Sequence, residues 1–407
     1  MSPLVTACAL AMLCAHPASA LTYTSVYSFG ASSTDGTRPI TTPVQNALLS
    51  PSDIFGTTDI GGANTSCNGG SGCGTIYAIN PMSGAESVLY SFSGIAPIGG
   101  GGSHLNSGVI LASGNVLIGT TTYGGRKKLG TLFKYDHSTH AYTILHSFTA
   151  ADGSYPNAVF QDSSGNLWGT SDEGGVNNSG TVWEYTSTGN FSVIYSFGPA
   201  YSTDGKNPQA GLAIDSSGNF WGTTINGGTG TSCTVGSTNG CGTIFEVTAA
   251  GAYRQIHSFG ATVGDAVAPS SPVTFDQSGN LWGVTELGGA NNIGAIYELS
   301  GTTYSVYHSF SGGSSDGSYP LAPPSVDQNG NLWGTTFSGG SGAYTSNSGT
   351  VYEINIQGAY SIVYNFGATS SDGIYPSSGV LIDRDDDVWS TTQRGGSNGA
   401  GTLFEIH

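Results

Sequence analysis

Three carboxylates stand where acid–base chemistry could be done. Asp172 and Glu173 are adjacent, and Glu286 occupies a matching offset, each just ahead of a Gly-Gly pair. One carboxyl group that gives a proton and another that takes it are what glycoside cleavage needs, provided their separation and environments differ suitably. His104, in the segment opened by the Gly-rich run Gly99–Ser103, departs from the pattern around it and is a further proton-transfer candidate. Arg126 and Arg394 could hold a carboxylate, while Tyr123 and Asn226 offer an aromatic face and an amide to a sugar. Spacing alone assembles none of these into a catalytic motif, so solvated loop positions are the plainer expectation. Lys127 and Lys128 read as a solvated loop tip.

What must position these residues is a repeat. A Gly-Thr-Thr-like element starts at Gly56, Gly119, Gly169, Gly222, Gly283 and Gly334, with Ser390 in the seventh place, at intervals of 50 to 63 residues. A second element starts at Gly74, Gly130, Gly180, Gly242, Gly294, Gly349 and Gly401, and a third ends in Phe29, Phe92, Phe148, Phe197, Phe259, Phe310 and Phe366. Each is short, rich in β-branched and aromatic residues and bounded by turn residues, so each predicts a strand. A weaker strand precedes Gly-Asn, as at Gly379–Asp383. Four strands per repeat make one blade, and seven repeats predict an all-β, seven-bladed β-propeller. The repeat pattern opens on Tyr23–Phe29, a fourth strand, and stops at Thr402–Ile406, a third, so the N-terminal strand must complete the last blade and close the ring.

In such a blade the connections after the second and fourth strands emerge on one face. These are the Gly-Gly loop and the Asp-Gly-x-x-Pro segment, and function is expected there. The pairs before Gly-Gly, from Asp59-Ile60 round to Gln393-Arg394, would ring a central funnel. Trp168, Trp221, Trp282, Trp333 and Trp389 share one repeat position and predict blade packing; His146, His257 and His308 alternate with Tyr before Ser-Phe and are expected to be structural. The Asp-Gly pairs are turn chemistry first.

Nine Lys plus Arg against 26 Asp plus Glu leave a formal charge of −17, which repels phosphate backbones and anionic membranes. Nucleic acid is therefore not an expected partner, nor is membrane insertion. Residues 1–20 form an apolar stretch ending in Ala18-Ser19-Ala20, a cleavable signal peptide in pattern, so residues 21–407 are expected to be secreted as one propeller, and as a monomer. Cys67 with Cys73 and Cys233 with Cys241 then predict two local disulfides rather than a zinc site; no metal or cofactor is expected. Asn64, Asn177 and Asn190 lie in Asn-x-Ser/Thr sequons, which matter only in a glycosylating host.

The succession LWGTT, GG, GTVFEI, YSF and DG-x-x-P closely resembles that of the GloVer tandem-repeat proteins, an exported family, over essentially all of residues 21–407. The resemblance implies a scaffold and carries no activity. Where members of that family continue into a C-terminal anchor, this chain stops after its last strand, so free secretion is expected. The function expected is binding of an extracellular polymer, a carbohydrate or a protein, with carbohydrate favoured. The rivals are a polysaccharide lyase or glycosidase sited in the funnel and a structural cell-envelope protein.

Overall fold

The computed structural model describes residues 21–45, 53–94, 101–113, 115–199, 203–233 and 240–407; the expected signal peptide lies outside the described residues. Strands rich in Val, Ile, Thr, Tyr and Phe pair antiparallel into small sheets. The first blade runs from Val44–Gln45 through Ile54–Thr58 and Thr75–Ile79 to Glu86–Ser91, and five more of the same order follow. The seventh is made from both ends of the chain: Tyr23–Ser28 pairs with Thr402–Ile406, Tyr23 opposite Ile406 and Ser28 opposite Thr402. The protein is an all-β, seven-bladed propeller, closed in the way the order of repeat elements predicts. Among the described residues no helix is long and apolar enough to cross a membrane.

Hydrophobic clusters lie at the junctions between neighbouring blades, one to each of the seven junctions. Trp168 stacks on Phe220 of the next blade at 4.0 Å, and Trp389 packs on Ile54, Tyr77 and Ile79 of the first. Each such indole also donates to the aspartate of its blade's first turn, Trp168 to Asp162 and Trp333 to Asp327, both at 3.0 Å. The repeated Trp is thus junction packing and turn clamp together. The histidines are structural as well. His146 stacks on Phe191 of the following blade and meets Asp152 at 3.0 Å; His308 stacks on Tyr360 and meets Asp316 at 3.1 Å. The Asp-Gly aspartates are therefore junction residues, tying the outer strands of adjacent blades.

Two features differ from the sequence expectation. The innermost strand shrinks to two residues in five blades, as at Val44–Gln45, Ala213–Ile214 and Leu381–Ile382. The segment leading into it carries a proline, which has no N–H to give a ladder. The two long connections of a blade, meanwhile, are zipped together rather than free: Gly36–Thr37 pairs with Ile60–Gly61, Gly205–Lys206 with Asn226–Gly227, and Gly317–Ser318 with Ser338–Gly339. Disulfides Cys67–Cys73 and Cys233–Cys241 stiffen two Gly-Gly connections on that face, with the predicted partners.

Candidate functional site at the channel mouth

The Gly-Thr-Thr element holds the walls of an axial channel. Its first threonine reaches the next blade: Thr120 Oγ1 donates to the carbonyl of Asn157 at 2.8 Å, Thr170 to Ala210 at 2.6 Å, Thr223 to Ser271 at 3.0 Å and Thr335 to Ser378 at 2.8 Å. Its second threonine crosses to the third strand, Thr58 to Thr75 at 2.8 Å and Thr336 to Thr350 at 2.7 Å. Hydroxyls that are buried and paired in this way fix each axial segment relative to its neighbours.

The Asp-Gly-x-x-Pro segment supplies the rim. The residue before the proline takes the left-handed conformation in every blade, with φ of 57° at Arg38, 58° at Tyr155, 55° at Asn207, 55° at Ala268, 56° at Tyr319 and 61° at Tyr375; in the second blade, where leucine replaces proline, it is His104 at 58°. That conformation costs a residue with a β-carbon about 1–2 kcal/mol. Hydrogen bonds across the junction offset it: the N–H groups of Tyr155, Asn207, Tyr319 and Tyr375 donate to Leu129, Ser179, Ile293 and Ser348 of the preceding blade at 2.8–2.9 Å. The proline then lies against the glycine that opens the preceding blade's third strand, where any β-carbon would collide: Pro156 on Gly130, Pro320 on Gly294, Pro376 on Gly349. The backbone is held constant while the side chain at the strained position varies. Five different side chains on one geometry repeated seven times are how a scaffold presents a site.

On the axis lies a cavity of about 410 Å³, lined by the segments at these positions from all seven blades. Its wall mixes polar side chains, with Thr41, Asn106, Ser107, Asn157, Gln209, Ser270 and Ser377, and apolar ones such as Ile40, Leu321 and Pro323, and Tyr155 stands beside them. Asp172 is the one carboxylate in the lining. Its Oδ1 is buried without a hydrogen-bond partner among the described residues. Burial raises its pKa above the usual carboxylate range, and the adjacent Glu173 adds to the rise. Glu173 sits in the ladder opposite Ser154 and Glu286 is exposed; neither lines the cavity, so the three candidate carboxylates do not share it.

His104 has a built partner. Its Nδ1 is 3.0 Å from Asp59 Oδ1, and Arg38 Nη1 is 3.3 Å from Asp59 Oδ2, with Asp59 only 4% exposed. The His104 segment is held by antiparallel bridging of Ser103 to Tyr123. Tyr123 lies edge-on to His104 at 5.2 Å and to Tyr155 at 5.6 Å, so an aromatic line runs from the dyad to the cavity. Asn226 donates to Asn207 Oδ1 at 3.2 Å, and Asn207 donates to the Asp172 carbonyl at 3.0 Å. Arg126, Lys127 and Lys128 are exposed in the Gly-Gly connection that carries Tyr123. Arg394 is exposed on the seventh blade, opposite Ile374 in its ladder. Arg38 escaped the sequence reasoning, although the variable residue ahead of each repeated proline was the place to find it. Among the described residues no group of three or more His, Cys, Asp or Glu is placed to hold a metal ion.

Residues 230–404 match the Gloeobacter/Verrucomicrobia repeat. No curated protein matches the chain. Among solved structures it is similar to a streptogramin B lyase, at 15% identity and a TM-score of 0.58, over 95% of this chain and 97% of that one. It is also similar to the extracellular domain of a proposed one-component system of B. thetaiotaomicron, at 9% identity and a TM-score of 0.57, over 94% of this chain and 39% of that one. A third likeness is to the extracellular domain of a proposed hybrid two-component system of the same organism, at 14% identity and a TM-score of 0.57, over 94% of this chain and 41% of that one. At these identities the likeness shows a shared propeller fold and no activity. The chain thus carries the Gloeobacter/Verrucomicrobia repeat over residues 230–404, and the same ordered elements recur in all seven blades.

Proposed function

We propose that the protein is a secreted binding propeller that takes an extracellular carbohydrate at the mouth of its axial channel. The observation that carries this reading is the chemistry of the cavity wall: hydroxyls and amides from six of the seven blades, apolar side chains from the sixth blade, one carboxylate, and a tyrosine beside them. A sugar chain is an uncharged array of hydroxyls with apolar ring faces. Polar groups held in place by the junction hydrogen bonds fix its orientation, while Tyr155 offers a face on which a ring stacks. The two disulfides suit an oxidising, extracellular compartment. A glycosidase reading loses ground because Glu173 and Glu286 stand outside the cavity that holds Asp172.

The test is retention of the purified protein on a panel of immobilised neutral polysaccharides. Retention on one of them, weakened about tenfold by Tyr155→Asn, is the expected outcome, equivalent to about 1.4 kcal/mol. Asparagine tolerates the left-handed backbone, so the variant removes the ring and keeps the rim. Failure to bind any member of the panel, or retention indifferent to Tyr155, overturns the reading.

A further inference from the structure

We propose that the junction between the first and second blades is an acid–base site that cleaves uronate-containing polysaccharide by β-elimination. The second blade is the one in which the repeated proline is lost, and the residue placed there in the left-handed conformation is His104. Asp59 holds His104 Nδ1 on one oxygen and Arg38 Nη1 on the other. An ionised carboxylate only accepts, so Nδ1 carries the proton in that hydrogen bond and Nε2 keeps its lone pair. The imidazole is 28% exposed at the rim, with the half-exposed phenol of Tyr123 edge-on to it.

The surrounding charge selects the substrate class. Four of the nine Lys and Arg residues, namely Arg38, Arg126, Lys127 and Lys128, lie in this sector of a chain whose formal charge is −17. Local positive charge on a negative molecule draws an anionic group to one place and repels it elsewhere. A sugar carboxylate met by an arginine has its negative charge offset, which makes the hydrogen on the adjacent C5 easier to remove. His104 Nε2 takes the C5 proton, the C–H electron pair becomes the C4=C5 double bond, and the C4–O4 bond breaks with its pair on oxygen. The Tyr123 hydroxyl gives that oxygen a proton, and the proton on His104 returns to the phenolate through water. No water is consumed and nothing is oxidised or reduced. This activity goes beyond carbohydrate binding at the channel, whose Tyr155 lies 5.6 Å from Tyr123.

The experiment incubates the purified protein with polygalacturonate and with alginate, following the ultraviolet absorbance of the conjugated double bond. Absorbance that grows on at least one polyuronate is expected. His104→Asn, which keeps a side chain suited to the left-handed backbone, lowers kcat about a hundredfold or more. Should that variant fail to fold, Asp59→Asn removes the acceptor that fixes the tautomer and gives the same fall. Arg126→Gln raises KM and lowers kcat as well, because the charge it offsets grows as the C5 proton leaves. No absorbance change on either polyuronate, or full activity in both the His104 and Asp59 variants, overturns the proposal. Retention on a neutral polysaccharide without unsaturated product does so too, and leaves the binding reading standing.

Discussion

At the scale of the residue, the glycine of each Gly-Thr-Thr element exists to admit an aromatic ring. A β-carbon on Gly283 or Gly334 would collide with Tyr297 or Tyr352 on the third strand of the same blade, and one on Gly222 would press on Phe245. The hydroxyls of Tyr77, Tyr297 and Tyr352 are buried there without a hydrogen-bond partner among the described residues. An unpaired buried hydroxyl costs about 1–3 kcal/mol, and the Phe245 position shows that the niche accepts a ring without one. Tyr352→Phe is therefore expected to raise stability by about 1 kcal/mol. A denaturation midpoint that falls in this variant would show that the hydroxyl has a partner after all.

At the scale of the element, the third strand of one blade and the Asp-Gly-x-x-Pro segment of the next form one lock. Gly349, at a φ of 102°, faces Pro376 closely enough that a β-carbon has no room. Gly349→Ala should destabilise by about 2–4 kcal/mol, the sum of backbone strain and overpacking. Pro376→Ala, which leaves the Tyr375 N–H bond to Ser348 in place, should cost about 1 kcal/mol or less. Thermal unfolding of the two variants side by side measures the difference, and equal losses would mean that the contact is not the lock described.

At the scale of the whole molecule, the closing junction is built differently from the rest. Six junctions stack a ring from one outer strand on a ring from the next, as Tyr364 on Tyr23 at 4.1 Å and Tyr195 on Tyr253 at 4.3 Å. Between the seventh blade and the first, Glu86 stands where the others have that second ring, beside the buried Asp35. Burial, with repulsion from Asp35 added, pushes the Glu86 pKa up to about 7, from an ordinary value of 4.5. A carboxyl group that binds its proton more tightly when folded favours the folded state at low pH, and that support is lost as pH rises from about 4.5 to about 7. Asp316 acts in the opposite sense. Burial alone would raise its pKa, but hydrogen bonds from His308, the Ser311 N–H and Tyr360 hold it down at about 2, so its contribution is lost as pH falls from 3.8 towards 2. Together the two place maximal stability on the acid side of neutrality. Glu86→Tyr supplies the seventh stack and a donor for Asp35, and should add about 1 kcal/mol near neutral pH while flattening the decline between about pH 5 and 7. A melting temperature with the same pH slope in the variant would assign the decline to another group.

Blade number, ring closure, disulfide partners and the structural roles of Trp168 and His308 were all legible in the chain, because each is set by a local pattern repeated at a steady period. Glu86 passed unnoticed in the sequence, because the aromatic column it breaks is defined only by stacking across the junctions. The left-handed rim, the axial cavity and the Asp59–His104–Arg38 cluster were not legible either. Their partners are 45 residues apart at His104 and Asp59, and 48 apart at Thr223 and Ser271, on different blades. A repeat shows what recurs at one position, whereas a site is made of what differs between positions. Which of those differences face each other is decided only when the junction hydrogen bonds bring neighbouring blades into register around one axis.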